Sequence, residues 1–195
     1  MSLPLLDLVP SQTALVLVDI QNFTAALDTQ PHTGRQVLER AAQVAAACRR
    51  KGILVVLIRV ESGPGNVLSL KPRLDAEAAV WNLPPGAHDF PAELAVSPED
   101  VVVTKYNWGG FYGTDLDVQL RRRGVKTLLT GGLVTDIGLD TTMRQAHERG
   151  YDQVVMTDVC GGFTQRDHDY SLEVVFPRIA RMRTSAEVLH ELESA

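Results

Sequence analysis

Short runs of β-branched and aliphatic residues alternate along this chain with segments of helical period. Ala14 to Val18 is an apolar run ending at Asp19. Ile53 to Val60 is a second, broken only by Arg59. Val101 to Thr104 leads into Lys105, and Val125 to Thr130 is a fourth run, with Gly131-Gly132 marking the turn out of it. Val154 to Thr157 ends at Asp158, and Ile179 to Met182 is a sixth, shorter run. Between the first two runs, Thr33 or Gly34 to Lys51 sets Val37, Leu38, Ala41, Val44, Ala45 and Cys48 on one stripe, and Gly52 stops it. Further helices are expected from Thr114, a cap with Asp117 three residues on, to Gly124; from Asp136 to Arg149; from His168 to Phe176; and after the capping box Thr184-Ser185-Ala186-Glu187. Continuous apolar strands separated by helices imply a parallel sheet covered on both faces, with right-handed connections. The expectation is one doubly wound α/β domain over residues 1–195, with six strands and helices on both faces.

The segment from Glu61 to Asp100 exceeds the ~2–6 residues of an ordinary connection. It holds six of the chain's 10 prolines. It reads as a lid or partner-contact segment, with one short helix near Asp75 to Val80. The remaining composition excludes whole classes. With 45% hydrophobic and 22% charged residues the chain is neither disordered nor of low complexity. A net charge of −5 gives no general attraction for nucleic acid. The run Arg121-Arg122-Arg123 reads as a solvated helix end. No apolar run is long enough to span a membrane, and the first twenty residues lack a basic leader, so the expected location is the cytoplasm. Two cysteines make no disulfide framework.

In open α/β sheets ligands bind beyond the carboxyl ends of the strands. Asp19, Arg59, Glu61, Lys105, the Gly131-to-Gly138 turn and Asp158 are therefore expected at one rim. Asp19, after five apolar residues, needs a partner if buried, and Lys105 is placed to supply it. The pair either works in chemistry or ties two strands together. The loop Tyr106-Asn107-Trp108-Gly109-Gly110-Phe111-Tyr112-Gly113 reads as a ligand wall through Trp108 and Phe111, or as core packing. Gly63-Pro64-Gly65 opens no helix, so no dinucleotide site is expected. His32, His88, His147, His168 and His190 show no metal-ligand spacing, so neither metal nor cofactor is expected. Cys48 belongs to the helix stripe; Cys160 lies nearer the rim, without an identifiable base.

The segments ALVLVDIQN, VVVTKYNWGGFYGTDLDVQLRRRGVKTLLTGG and LVTDIGLDTTMRQAHERGYDQVVMTDVC resemble the isochorismatase-like hydrolases, the cysteine hydrolase superfamily. The resemblance implies strand order 3-2-1-4-5-6, a homodimer or homotetramer, and a small-molecule substrate. It makes Asp19 and Lys105 two members of an Asp–Lys–Cys triad, and it implies a cis peptide at Leu133-Val134 that aims backbone N–H groups into the pocket. The cysteine position is occupied here by Gly138. Glycine forms no thioester, so the nicotinamidase and carbamoyl-amidase mechanisms lose their nucleophile. Arg59-Val60-Glu61-Ser62 also lacks the Asp/His cluster with which nicotinamidases hold a metal. Isochorismatases share the glycine and cleave an enol ether by protonating a vinyl carbon, for which Asp19 would be the acid. They carry Ala-Gln-Pro after strand two, where this chain has Arg59-Val60-Glu61. The substrate-binding set implied is Arg59, Trp108, Phe111, Leu133 and Val134. Three readings follow: a non-covalent hydrolase using Asp19 and Lys105, with Gly138 leaving room for water or substrate; an amide hydrolase using water activated by Asp19; and a binding or oligomeric module that lost its thiol.

Overall fold

The computed structural model describes residues 4–63, 67–68, 70–75 and 83–194. Its strands are β1 (Thr13–Val18), β2 (Leu54–Val60), β3 (Val101–Lys105), β4 (Thr127–Leu133), β5 (Asp152–Gly161) and β6 (Arg181–Arg183). They form one parallel sheet in the order β3-β2-β1-β4-β5-β6. The sheet order implied by the resemblance is therefore the observed one. The helices are α1 (Asn22–Ala25), α2 (Gly34–Arg50), α3 (Leu116–Arg122), α4 (Asp140–Glu148), α5 (Gln165–Asp169) and α6 (Ser185–Ser194).

Strand alternation divides the interior into two cores, one on each side of the sheet. Leu15, Leu17, Val55 and Leu57 pack against Val37, Leu38, Ala41 and Val44 of α2 and Val188 and Leu192 of α6. Ala14, Val16, Val18, Val56, Ile58, Val101 and Val103 pack against Leu116 and Leu120 of α3 and Met143 and Ala146 of α4. The helix α2 runs as its periodicity predicts. Its entry is a reciprocal cap in which Thr33 and Gln36 satisfy each other's backbone N–H. The cap expected at Thr184 is also present, with Glu187 Oε2 accepting from Thr184 N at 2.7 Å.

Four local expectations are corrected. Strand β4 does not turn at Gly131-Gly132 but continues to Leu133. The glycines serve close approach instead: a Cβ on Gly132, whose φ is +146°, would stand 2.1 Å from Val18 O. Strand β5 passes through Asp158 because its register against β4 slips between the pairs Thr130–Val155 and Gly132–Cys160. The helix predicted from Asp136 begins as a π-helical turn, Thr135–Leu139, before α4. Thr114 forms no capping box with Asp117. Its hydroxyl donates to Gly110 O at 2.6 Å and accepts from Leu116 N at 3.2 Å, and α3 starts later. The short helix expected near Asp75 to Val80 lies outside the described residues, apart from Asp75 itself.

Candidate active site

Asp19 follows directly on β1, and Lys105 is the last residue of β3. The strands are not neighbours, since β2 lies between them. Alternation alone would put Asp19 with Leu15 and Leu17 on the α2 side and Lys105 with Val101 and Val103 on the other. The backbone of Asp19 leaves the extended region with φ +53°, which ends the alternation. Its N–H donates to Ile58 O at 2.9 Å, and its carbonyl accepts from Thr24 Oγ1. The carboxylate then meets Lys105, whose Nζ is 2.8 Å from Asp19 Oδ2.

Both groups are buried; Lys105 is 1% exposed and Asp19 6%. Lys105 Nζ also donates to Trp108 O at 2.6 Å and to Asn107 O at 3.2 Å. An ammonium has three protons, and these three acceptors use them all. Lys105 is thus committed to Asp19 and to its own loop, with no donor left over for a substrate carboxylate. Asp19 Oδ1 is different: it is buried and has no hydrogen-bond partner among the described residues. Burial pushes the Asp19 carboxyl up to about 6, and Lys105 pulls the other way without cancelling that rise.

Gly138 sits in the π-helical turn that follows β4 and is buried. A Cβ built on it would lie 2.7 Å from Asp19 Oδ2 and 3.3 Å from Leu133 O. The space expected to be open for water or substrate at this position is therefore filled by the Asp19 carboxylate itself. A side chain here must push aside a carboxylate pinned by Lys105. Gly138→Cys is accordingly expected to displace Asp19 and to lower, not create, hydrolytic activity. Amide and enol-ether turnover measured on the variant beside the wild type checks this; a gain of amide hydrolysis would contradict it.

The other residues expected here are distributed as follows. The Leu133–Val134 bond is cis, and both side chains are buried in the core on the α2 side. Trp108 is 66% exposed and meets the pair through its carbonyl only. Phe111 is buried in the opposite core, its ring 5.9 Å from that of Tyr151 and covered by the Arg149 guanidinium. Arg59 alternates with Val55 and Leu57 toward the α2 side, and its Nε donates to Thr104 Oγ1 at 3.0 Å. Structure thus brings together Asp19, Lys105, Gly138 and the main chain of 107–108 and 133, but not the side chains of Arg59, Trp108 or Phe111. Asp158 is spent on the start of α6, accepting from Ser185 N and Ser185 Oγ at 2.6 Å each. Both cysteines are buried, their thiols pushed up to about 12 by burial. No group of three or more His, Cys, Asp or Glu among the described residues could hold a metal ion. An open cleft of about 510 Å³, lined by Asn22, Leu27, Arg35, Pro91 and Glu93 among others, contains neither member of the pair.

Sequence reasoning missed several supporting groups. Gln21, fully buried, clamps the end of β2 and residue 88: its Nε2 donates to Val60 O and His88 O, and its Oε1 accepts from Val60 N. Thr135 Oγ1 lies 2.9 Å from His168 Nδ1, and Thr142 and Gln145 of α4 hold the loop after β3. Only the pair Gly109-Gly110, which permits close packing on α4, was a signal for the last two.

A doubly wound sheet with a buried Asp–Lys pair beyond the carboxyl ends of β1 and β3 places that pair where α/β proteins of this class bind ligands. Residues 13–187 match the isochorismatase domain, and the chain belongs to the isochorismatase family, whose members are hydrolases. It is 38% identical over 188 residues to the uncharacterized isochorismatase family protein YecD of Escherichia coli O157:H7, covering 96% of this chain and 100% of YecD. It is 33% identical over 174 residues to the ureidoacrylate amidohydrolase RutB of Methylorubrum extorquens, covering 75% of this chain and 68% of RutB. The solved structure of an isochorismatase family protein from Burkholderia thailandensis superposes with a TM-score of 0.90 at 36% identity, covering 95% of this chain and 97% of that one.

Proposed function

We propose that this chain hydrolyses a small metabolite without a covalent enzyme intermediate, with Asp19 moving the proton and an isochorismate-type enol ether as the bond broken. The observation that carries this reading is Asp19 Oδ1. It is buried, unpartnered among the described residues, and attached to a carboxyl whose proton is held up to about 6. Beside it stands Gly138, which offers no nucleophile, while Lys105 is fully engaged.

In this mechanism Asp19 Oδ1 gives its proton to the vinyl CH₂ carbon, which becomes a methyl group as the ether carbon becomes an oxocarbenium ion. Water adds to that carbon and returns a proton to Asp19. The hemiketal hydroxyl then gives up its proton as the bond to the former ether oxygen breaks and that oxygen takes a proton, releasing pyruvate and a dihydrodiol. Lys105 stabilises the carboxylate between the two proton transfers. Because the acid must start protonated, turnover falls as pH rises above about 6.

A second reading rests on a relative, the ureidoacrylate amidohydrolase RutB. In it, ionised Asp19 takes a proton from water, which attacks an amide carbonyl. The pH dependence then reverses, and turnover rises through about 6. The test is the wild-type protein on isochorismate, followed by pyruvate release, and on ureidoacrylate, followed by loss of substrate, each from pH 5 to pH 8. Pyruvate release that declines toward alkaline pH supports the enol-ether reading. Ureidoacrylate loss that rises with pH supports the amide reading. Turnover of neither counts against both and favours a non-catalytic module.

A further inference from the structure

The ammonium of Lys105 is only as fixed as the carbonyls that hold it. Those carbonyls, Asn107 O and Trp108 O, belong to a loop with three side chains, Tyr106, Trp108 and Tyr112, that face solvent. The loop is hung from α4 by its next backbone N–H groups. Gly110 N donates to Thr142 Oγ1 at 3.0 Å, and Phe111 N donates to Gln145 Oε1 at 3.1 Å. The loop lies flat on the helix because Gly109 and Gly110 have no side chains. A Cβ on Gly109 would be 2.3 Å from Gln145 Oε1, and one on Gly110 would be 3.2 Å from Thr142 Cγ2. Thr142 Oγ1 also donates, at 2.6 Å, to the carbonyl of Gly138. One buried hydroxyl thus joins the loop that holds Lys105 to the turn that backs onto Asp19.

We propose that Thr142 and Gln145 are positioning residues for the Asp19–Lys105 pair, acting through the backbone of residues 107 to 111. The inference rests on the reading that this pair is the reacting centre. Neither side chain touches the pair; each fixes where the ammonium stands. Thr114, whose hydroxyl donates to Gly110 O, closes the far end of the loop. Among the described residues, Lys105 is the one charged group that acts on the Asp19 carboxyl, so any slackening of the loop is read out there.

The experiment is a ¹³C carboxyl NMR titration of the full chain, with the Asp19 resonance assigned by its loss in Asp19→Asn. Thr142→Val keeps the shape and removes both hydrogen bonds. It is expected to move the Asp19 midpoint upward by about half a unit or more, because the ammonium that lowers it is held less closely. Gln145→Leu should move it in the same direction, and Thr142→Ser should restore the wild-type value. If Thr142→Val and Gln145→Leu fold and titrate like the wild type, the proposal is overturned. If neither folds, the anchor serves stability alone and the proposal also falls. The titration needs no substrate. An unchanged midpoint leaves the hydrolase reading standing, and an inactive wild type leaves the titration result standing.

Discussion

Asp19→Asn is expected to lower turnover by roughly 10²–10⁴-fold, the usual contribution of a positioned acid or base. The substitution is chosen for its backbone as much as for its chemistry. Asp19 has a φ of +53°, a conformation that asparagine tolerates and most other residues do not. The amide oxygen of Asn can still accept from Lys105 Nζ, so the pair's geometry survives while the transferable proton is lost. The measurement is kcat and KM on whichever substrate the wild type turns over, beside a thermal melt. A variant that folds and keeps kcat within about threefold of the wild type would remove Asp19 from the chemistry.

Lys105→Met is expected to have the largest effect on stability. It removes the ammonium beside a carboxylate that is 6% exposed, leaving an uncompensated buried charge. Breaking a buried pair in this way costs about 3–5 kcal/mol. The sign of its pH dependence follows from Asp19. In the native wild type the carboxyl already titrates at about 6, above its ordinary value of 3.8. Without Lys105 it rises further, so the native state of the variant binds a proton that the unfolded state releases. The variant's deficit is therefore small below about pH 4 and grows as pH rises through the native midpoint. Urea unfolding of both proteins at pH 4 and pH 8 measures it. The double variant Asp19→Asn with Lys105→Met should recover part of the loss at pH 8, since no charge is then buried. Equal deficits at the two pH values would show that Lys105 contributes through packing alone.

The sheet was legible because its signal is repeated: six apolar runs and the helical period of α2 each point to the same parallel architecture. Where one residue departs from the repeat, the reading failed. Gly131-Gly132 looks like a turn in sequence, but Gly132 makes room for Val18 of β1 and Gly131 for Val159 of β5, needs set across the sheet. Asp158 follows an apolar run like Asp19, yet it caps α6 because β5 slips register on the way. Asp19 and Lys105 were legible as charges at strand ends. Their surroundings were not, because the groups that complete the site are backbone carbonyls of residues 107 and 108, which carry no side-chain signature. The loop's side-chain signal lies in its aromatic residues, of which Trp108 lies at the surface and Phe111 in the core.

The placement of Lys105 on β3 and Asp19 just after β1, with β2 between them, also bears on how the pair assembles. Adjacent strands lie about 4.8 Å apart, so the lysine and aspartate side chains together bridge two strand spacings, roughly 10 Å, to make their contact. The contact closes only after two long crossovers have brought three parallel strands into register, one of them through the proline-rich segment. Pairings so distant along the chain are costly in loop entropy and form slowly. Formation of this pair is therefore expected to follow the docking of β3, at the edge of the sheet, rather than the growth of secondary structure. A refolding chain is expected to regain its helical signal before the Asp19–Lys105 contact closes.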